Sequence, residues 1–176
     1  MKILVCIAQV PDTTSKIAFT DNNTAFATEG LTMIINPYDE WYALVRALEL
    51  KETGKATAVH LITVGKSEVE PVIRKALALG GDEAIRVNTE SSDSYFIASQ
   101  IADVAKAGHY DLILTGKETI DYNGSQVAGM LAEALDLPFI SVAAKLDVAG
   151  STVKAEREIV GGVQEVEVST PVVISC

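Results

Sequence analysis

The chain has 176 residues, 48% of them hydrophobic and 22% charged, with a formal net charge of −10 at neutral pH. That is ample apolar chain for one folded domain spanning 1–176 and far from a disordered composition. The acidic balance excludes the cationic face that replaces counterions on a nucleic acid backbone, and no apolar run approaches a membrane span. The sequence therefore predicts no nucleic acid partner and no membrane insertion, with residence in the cytoplasm, or in the mitochondrial matrix of a eukaryote. Cys6 and Cys176 lie in apolar runs without metal-ligand spacing and read as buried thiols of a reducing compartment, so no metal is expected.

Met1 to Ala8 is a first strand, because its apolar stretch is short and Gln9, Pro11 and Asp12 follow at once. The loop from Gln9 to Ser15 leaves the carboxyl end of that strand, where open α/β sheets place their ligands. Residues 16–35 read as a hairpin excursion, with a turn at Asp21-Asn22-Asn23 and a β-like run from Leu31 to Ile35. Asn36-Pro-Tyr-Asp-Glu40 opens a long helix, with Asn36 as the cap, Pro37 in the first helical position and Asp39 and Glu40 facing the helix dipole. Trp41, Leu44, Val45 and Leu48 are its expected packed face.

A second strand runs from Thr57 to Val64, ended by Gly65. Ser67 and Glu70 have the spacing of a capping box, before a helix whose face is Val69, Val72, Ile73 and Ala76. Glu83 to Val87 is a third strand, and Asp93 or Ser94 caps a helix carrying Ile97, Ile101 and Val104. Tyr110 to Leu114 is the fourth strand. After Gly116 come the small polar residues Asp121, Asn123, Gly124 and Ser125, then a helical pattern in Val127, Leu131, Ala134 and Leu135. Free amides at such a helix start suit a phosphate; a plain cap at Asn123 or Ser125 explains the same residues. Phe139 to Val142 is the fifth strand. The tail differs, with strands Thr152–Ile159 and Val163–Val168 flanking a hairpin signal at Gly161-Gly162, and an apolar run, Pro171 to Cys176, that reads as the start of an interrupted element.

Five alternations of strand and helix predict an α/β fold: a doubly wound parallel sheet in the order 3-2-1-4-5, with residues 150–176 adding a C-terminal β-hairpin. That order sets the ends of strands one and four side by side at the switch point. No catalytic constellation emerges. His60 and His109 have no cysteine or serine partner, no G-x-G-x-x-G follows the first strand, and Gly116-Lys117 lacks the Ser or Thr of a P-loop.

Four segments in order, Asn36-Pro-Tyr-Asp-Glu40, Lys75-Ala-Leu-Ala-Leu-Gly-Gly-Asp82, Asp111-Leu-Ile-Leu-Thr-Gly-Lys117 with Ile120-Asp121 and Gln126, and Arg157-Glu158 with Gly161-Gly162, resemble the beta (small) subunit of electron transfer flavoprotein. The resemblance covers essentially the whole chain. It implies an electron carrier, not a stand-alone enzyme, that pairs with a larger alpha subunit holding most of the redox FAD and accepts electrons from acyl-CoA or other dehydrogenases. It also implies a structural AMP in this subunit, touched by Cys6, by Asn36, Pro37, Tyr38 and Asp39, by Val64, and by the loop from Gly116 through Asp121, Asn123, Gly124, Ser125 and Gln126 to Val127. Many relatives carry a threonine where Val127 stands, which leaves only its backbone amide for a phosphate. Members of the family also continue beyond this C-terminal end, which reads as truncated. Two other readings share the fold: a universal-stress-type homodimer binding ATP or AMP, and an electron-bifurcating flavoprotein subunit with a second FAD in the nucleotide site.

Overall fold

The computed structural model describes residues 1–90 and 92–176. In chain order the strands and helices are β1 (Lys2–Cys6), β2 (Gln9–Pro11), β3 (Phe19–Thr20), β4 (Ala25–Phe26), β5 (Met33–Ile35), α1 (Asp39–Glu52), β6 (Ala58–Val64), α2 (Glu70–Ala78) and β7 (Glu83–Val87). They continue as α3 (Ser94–Gly108), β8 (Leu112–Thr115), α4 (Val127–Leu135), β9 (Phe139–Ile140), β10 (Ala143–Ala149), β11 (Thr152–Ile159), β12 (Gly162–Ser169) and β13 (Val172–Ser175).

The central sheet is wholly parallel, in the order β7-β6-β1-β8-β13-β9. Alternate side chains leave a strand on opposite faces, and the core divides accordingly. Ile3, Val5, Leu112 and Leu114 pack with Ala43, Leu44 and Ala47 of α1 and Val72 and Ile73 of α2. Leu4, Cys6 and Ile113 pack with Ala98 and Ala102 of α3 and Leu131 of α4. Helices cover both faces, as a doubly wound sheet requires.

The first four strands stand in the expected order, and the ends of β1 and β8 are neighbours. The fifth does not pair with the fourth. The apolar tail run, expected to be an interrupted element, is β13, which lies between β8 and β9 and registers Ile174 against both Leu114 and Ile140. All four of its residues are buried, so it needs neighbours on both edges and cover on both faces. β9 is two residues long with Phe139 exposed, which suits an edge. It stops short of Val142, where the chain takes φ 55° and the amide donates to the Ser175 hydroxyl at 2.9 Å.

The tail hairpin is part of a three-stranded antiparallel sheet, β10-β11-β12. Its turn is Val160-Gly161, one residue earlier than the glycine pair suggested: Ile159 registers with Gly162, and Gly161 supplies the positive φ of 84°. Leu146, Val148, Val153 and Ala155 seat this sheet on the α1 side of the core. The excursion of residues 16–35 forms the short β3–β4 hairpin, and β2 pairs antiparallel with β5. Asp93 caps α3 by accepting from the Phe96 amide at 2.7 Å. Ser67 and Glu70 form no capping box; Ser67 opens a short 3-10 turn, and Glu70 pairs with Arg74 and Arg86. No helix among the described residues is long and apolar enough to cross a membrane.

Candidate functional site

The carboxyl ends of β6, β1 and β8 place Val64, Cys6 and Gly116 at one end of the sheet. Helix α1 starts beside them. It begins at Asp39, with Pro37 and Tyr38 ahead of it and no side-chain cap, so Asn36 does not have the capping role that its sequence context predicted. The Asn36 side chain is drawn elsewhere. It has no exposed surface; Nδ2 donates to Glu40 Oε2 and to the Glu118 carbonyl at 2.8 Å, and Oδ1 accepts from the Ile120 amide at 3.1 Å. Its own backbone amide donates to the Ala8 carbonyl at 3.1 Å. Asp39 adds a further tie, Oδ2 accepting from the Glu118 amide at 3.1 Å. One asparagine thus joins the chain after β1, the start of α1 and the loop after β8.

Glu40 is buried against Gly116, where an added Cβ would stand 2.6 Å from Glu40 Oε2 and 2.8 Å from Asp39 Cβ. Burial pushes the Glu40 carboxyl up to about 8; the Asn36 N–H bond draws it back, and Asp39 and Asp121 push it further up. The Cys6 thiol is pushed far up by burial and then by Glu40. The Cys176 thiol is pushed up to about 12 by burial, with Asp39 and Glu40 adding to the effect. Neither thiol has the thiolate character of a nucleophile.

Beyond Gly116 the loop changes character. Its first half is fixed: the Lys117 amide donates to the Cys176 carbonyl at 2.9 Å, Lys117 pairs with Glu118, and Ser125 Oγ donates to Glu118 Oε2 at 3.0 Å. Its second half is open. Asn123 and Ser125 both have φ 50°, Gln126 returns to the right-handed region, and α4 begins at Val127 without a side-chain cap. Asn123 and Ser125 are therefore not the caps that the plain reading of this run offered. Among the described residues, no acceptor meets the amides of Gly124, Ser125, Gln126 and Val127. A left-handed residue followed by a right-handed one turns successive amides to the same side, a concavity that suits an anion, and the α4 dipole adds to it. Space around Gly124 is open, with nothing within 4 Å of a built Cβ.

The sequence model of the electron transfer flavoprotein domain matches residues 23–176. The chain belongs to the electron transfer flavoprotein family. It is 39% identical over 176 residues to the electron transfer flavoprotein subunit beta of Syntrophomonas wolfei, covering 99% of this chain and 69% of that one. With the Bacillus subtilis subunit beta it shares 36% identity, over 99% of this chain and 68% of the relative. The acryloyl-CoA reductase electron transfer subunit gamma of Anaerotignum propionicum is 35% identical, over 100% of this chain and 67% of its own length. The chain is accordingly an electron transfer flavoprotein subunit of the beta type, shorter than these relatives.

Within this flavoprotein subunit, the loop and helix start are gathered at the ends of β1 and β8, while Tyr38 and Tyr122 stand largely exposed. Two buried groups were not among the expected site residues. Thr115, at the end of β8, has a hydroxyl without a partner among the described residues, which the sequence did not signal. Glu40 did carry a signal, since it precedes Ala43, Leu44 and Ala47 by three, four and seven residues and so shares their buried stripe.

Proposed function

We propose that this chain is the small subunit of a heterodimeric electron transfer flavoprotein, working in the cytoplasm, and that it holds AMP at the ends of β1 and β8. The observation that carries this reading is the row of unpaired amides from Gly124 to Val127 at the start of α4. They receive the phosphate. Backbone groups at Cys6 and Val64 bond the adenine edge, Asp121 bonds a ribose hydroxyl, and residues 36–39 wall the site from the α1 side. Open space at Gly124 fits close approach of the phosphate. The larger alpha subunit holds most of the FAD, which supplies the redox chemistry when bound; this chain covers one side of it and supports exchange with acyl-CoA or other dehydrogenases.

The test is co-expression with the large subunit, followed by release and quantitation of bound nucleotides. One AMP and one FAD per heterodimer is the expected result. Two FAD and no AMP would favour the bifurcating arrangement, and ATP in a homodimer of this chain would favour the universal-stress-type reading. Absence of both flavin and adenine nucleotide from the purified complex would overturn the proposal.

A further inference from the structure

We propose that Glu40 is the positioning residue of the nucleotide loop: its buried carboxyl holds Asn36 in the one orientation that fixes Glu118 and Ile120, and so sets where the amides of Gly124 to Val127 stand. The inference rests on the nucleotide reading above and assigns a role to a residue outside the expected contacts.

The geometry leaves Asn36 little choice. Its Nδ2 has two hydrogens, one for Glu40 Oε2 and one for the Glu118 carbonyl, and its Oδ1 takes the Ile120 amide. Turned over, the same amide would set an oxygen against two acceptors and a nitrogen against a donor. The acceptor on Glu40 selects the observed orientation together with the Glu118 carbonyl and the Ile120 amide, and it is the one side-chain partner of the three. Gly116 makes the contact possible, because any side chain there would meet the Glu40 carboxyl and Asp39 Cβ. Asp39 then adds its bond to the Glu118 amide, so Asp39 at the start of α1 and Asn36 just ahead of the helix hold the loop at Glu118 and Ile120.

The charge on Glu40 matters as well as its shape. The titratable groups around it are Asp39 on its own helix, Asp121 in the loop, Cys6 at the end of β1 and Cys176 after β13. Lys117 and Glu118, nearby in the loop, are paired with each other. Both thiols are pushed well above their ordinary range, and both aspartates oppose a further negative charge. As a neutral acid, Glu40 keeps its acceptor for Asn36 without adding a buried anion to Asp39 and Asp121. When it ionises, affinity for AMP falls.

Glu40→Gln keeps an acceptor oxygen and fixes the neutral state; Glu40→Leu keeps the bulk and removes the acceptor. The readouts are normalised hydrogen-exchange protection at the Glu118 and Ile120 amides and AMP affinity between about pH 7 and pH 9.5. Glu40→Leu is expected to lower protection at both amides and AMP affinity by about tenfold, the equivalent of one lost buried hydrogen bond. Glu40→Gln restores both, and its AMP affinity stays flat where that of the wild type falls with rising pH. Unchanged protection at Glu118 and Ile120 in Glu40→Leu, or a Glu40→Gln pH course identical to the wild type, would overturn the inference. If Glu40→Leu does not fold, the pH course of Glu40→Gln decides. If the wild type binds no AMP, the nucleotide reading fails, while the exchange measurement still decides the role of Glu40.

Discussion

The two ends of the parallel sheet are built from similar residues and come out differently. At the amino end, Asp111 accepts from the Lys2 amide at 2.6 Å, the Lys2 ammonium donates to the Gly108 carbonyl at 3.0 Å, and His60 Nδ1 meets the Tyr110 hydroxyl at 3.0 Å. Asp82 accepts from the Val59 amide at 2.8 Å and pairs with Lys51. A groove of about 480 Å³ opens there, and its Lys2, His60 and Tyr110 are hydrogen-bonded within the chain. At the carboxyl end, a buried carboxyl, an orphaned Thr115 hydroxyl and four unmatched amides gather around one loop. The proposed nucleotide site is thus distinguished by its unmatched polar groups and not by volume. The first amides of a helix have no partner within it, and an anion at the helix start can accept from them.

Substitutions at matched places can break or sharpen this contrast. The largest expected effect is at Gly116→Val, because its side chain would collide with the Glu40 carboxyl and Asp39. Overpacking of this kind costs about 3 kcal/mol and should show as a lower urea midpoint together with loss of AMP. Gly108→Ala at the amino end meets the Tyr110 ring instead, with a Cβ 2.2 Å from it, and should lose stability without changing nucleotide content.

Next comes Glu40→Gln. The folded pKa is raised, so the group's contribution is fully present below its unfolded value of 4.5 and is lost as pH rises to about 8. Wild-type stability should therefore fall across that window relative to the variant, which should be the more stable by several kcal/mol near pH 8, checked by thermal melts at both ends of the window. A parallel pair of pH–stability curves would contradict the buried neutral acid.

Gly124→Val is expected to leave folding within about 0.5 kcal/mol, since open space surrounds the position, and to weaken AMP retention about tenfold by obstructing the amides. Unchanged AMP content would reduce the loop to a helix start. The smallest effect is at Asp82→Asn. Asp82 has a pKa lowered by its Lys51 and Val59 bonds, so its contribution is present above the ordinary carboxylate range and lost as pH falls through the folded value. The variant should flatten the acid side of the stability curve and leave AMP affinity alone.

The alternation of strands and helices was legible from apolar runs and glycine stops, and so was the adjacency of β1 and β8. The face of α2 was read correctly at Val72, Ile73 and Ala76, while those of α1, α3 and α4 were read about one position off. The buried residues of α1, α3 and α4 are dominated by alanines, Ala43 and Ala47, Ala98, Ala102 and Ala105, and Ala128 and Ala132, while Val45 is exposed and Ile97 and Val104 lie only partly buried. Small side chains let helix and sheet approach closely, and a search for large apolar residues passes over them. The same bias hid Glu40 on the α1 stripe. β10 was missed because its alternation, Leu146 and Val148 inward against Lys145 and Asp147, is framed by alanines with little strand preference. The insertion of β13 beside β8 was beyond local reading, since pairing between distant strands is set by burial of the whole sheet. In the site, residue types announced the loop from Gly116 to Val127, but the interior role of Asn36 depends on partners 82 and 84 residues away.

The most direct test of the central claim is an amide-resolved NMR titration of the protein with AMP and, separately, with adenosine. If the start of α4 receives the phosphate, AMP will shift the amides of Gly124, Ser125, Gln126 and Val127, and adenosine will leave them in place. AMP binding that leaves those four amides unmoved, or equal shifts with adenosine, would contradict the account.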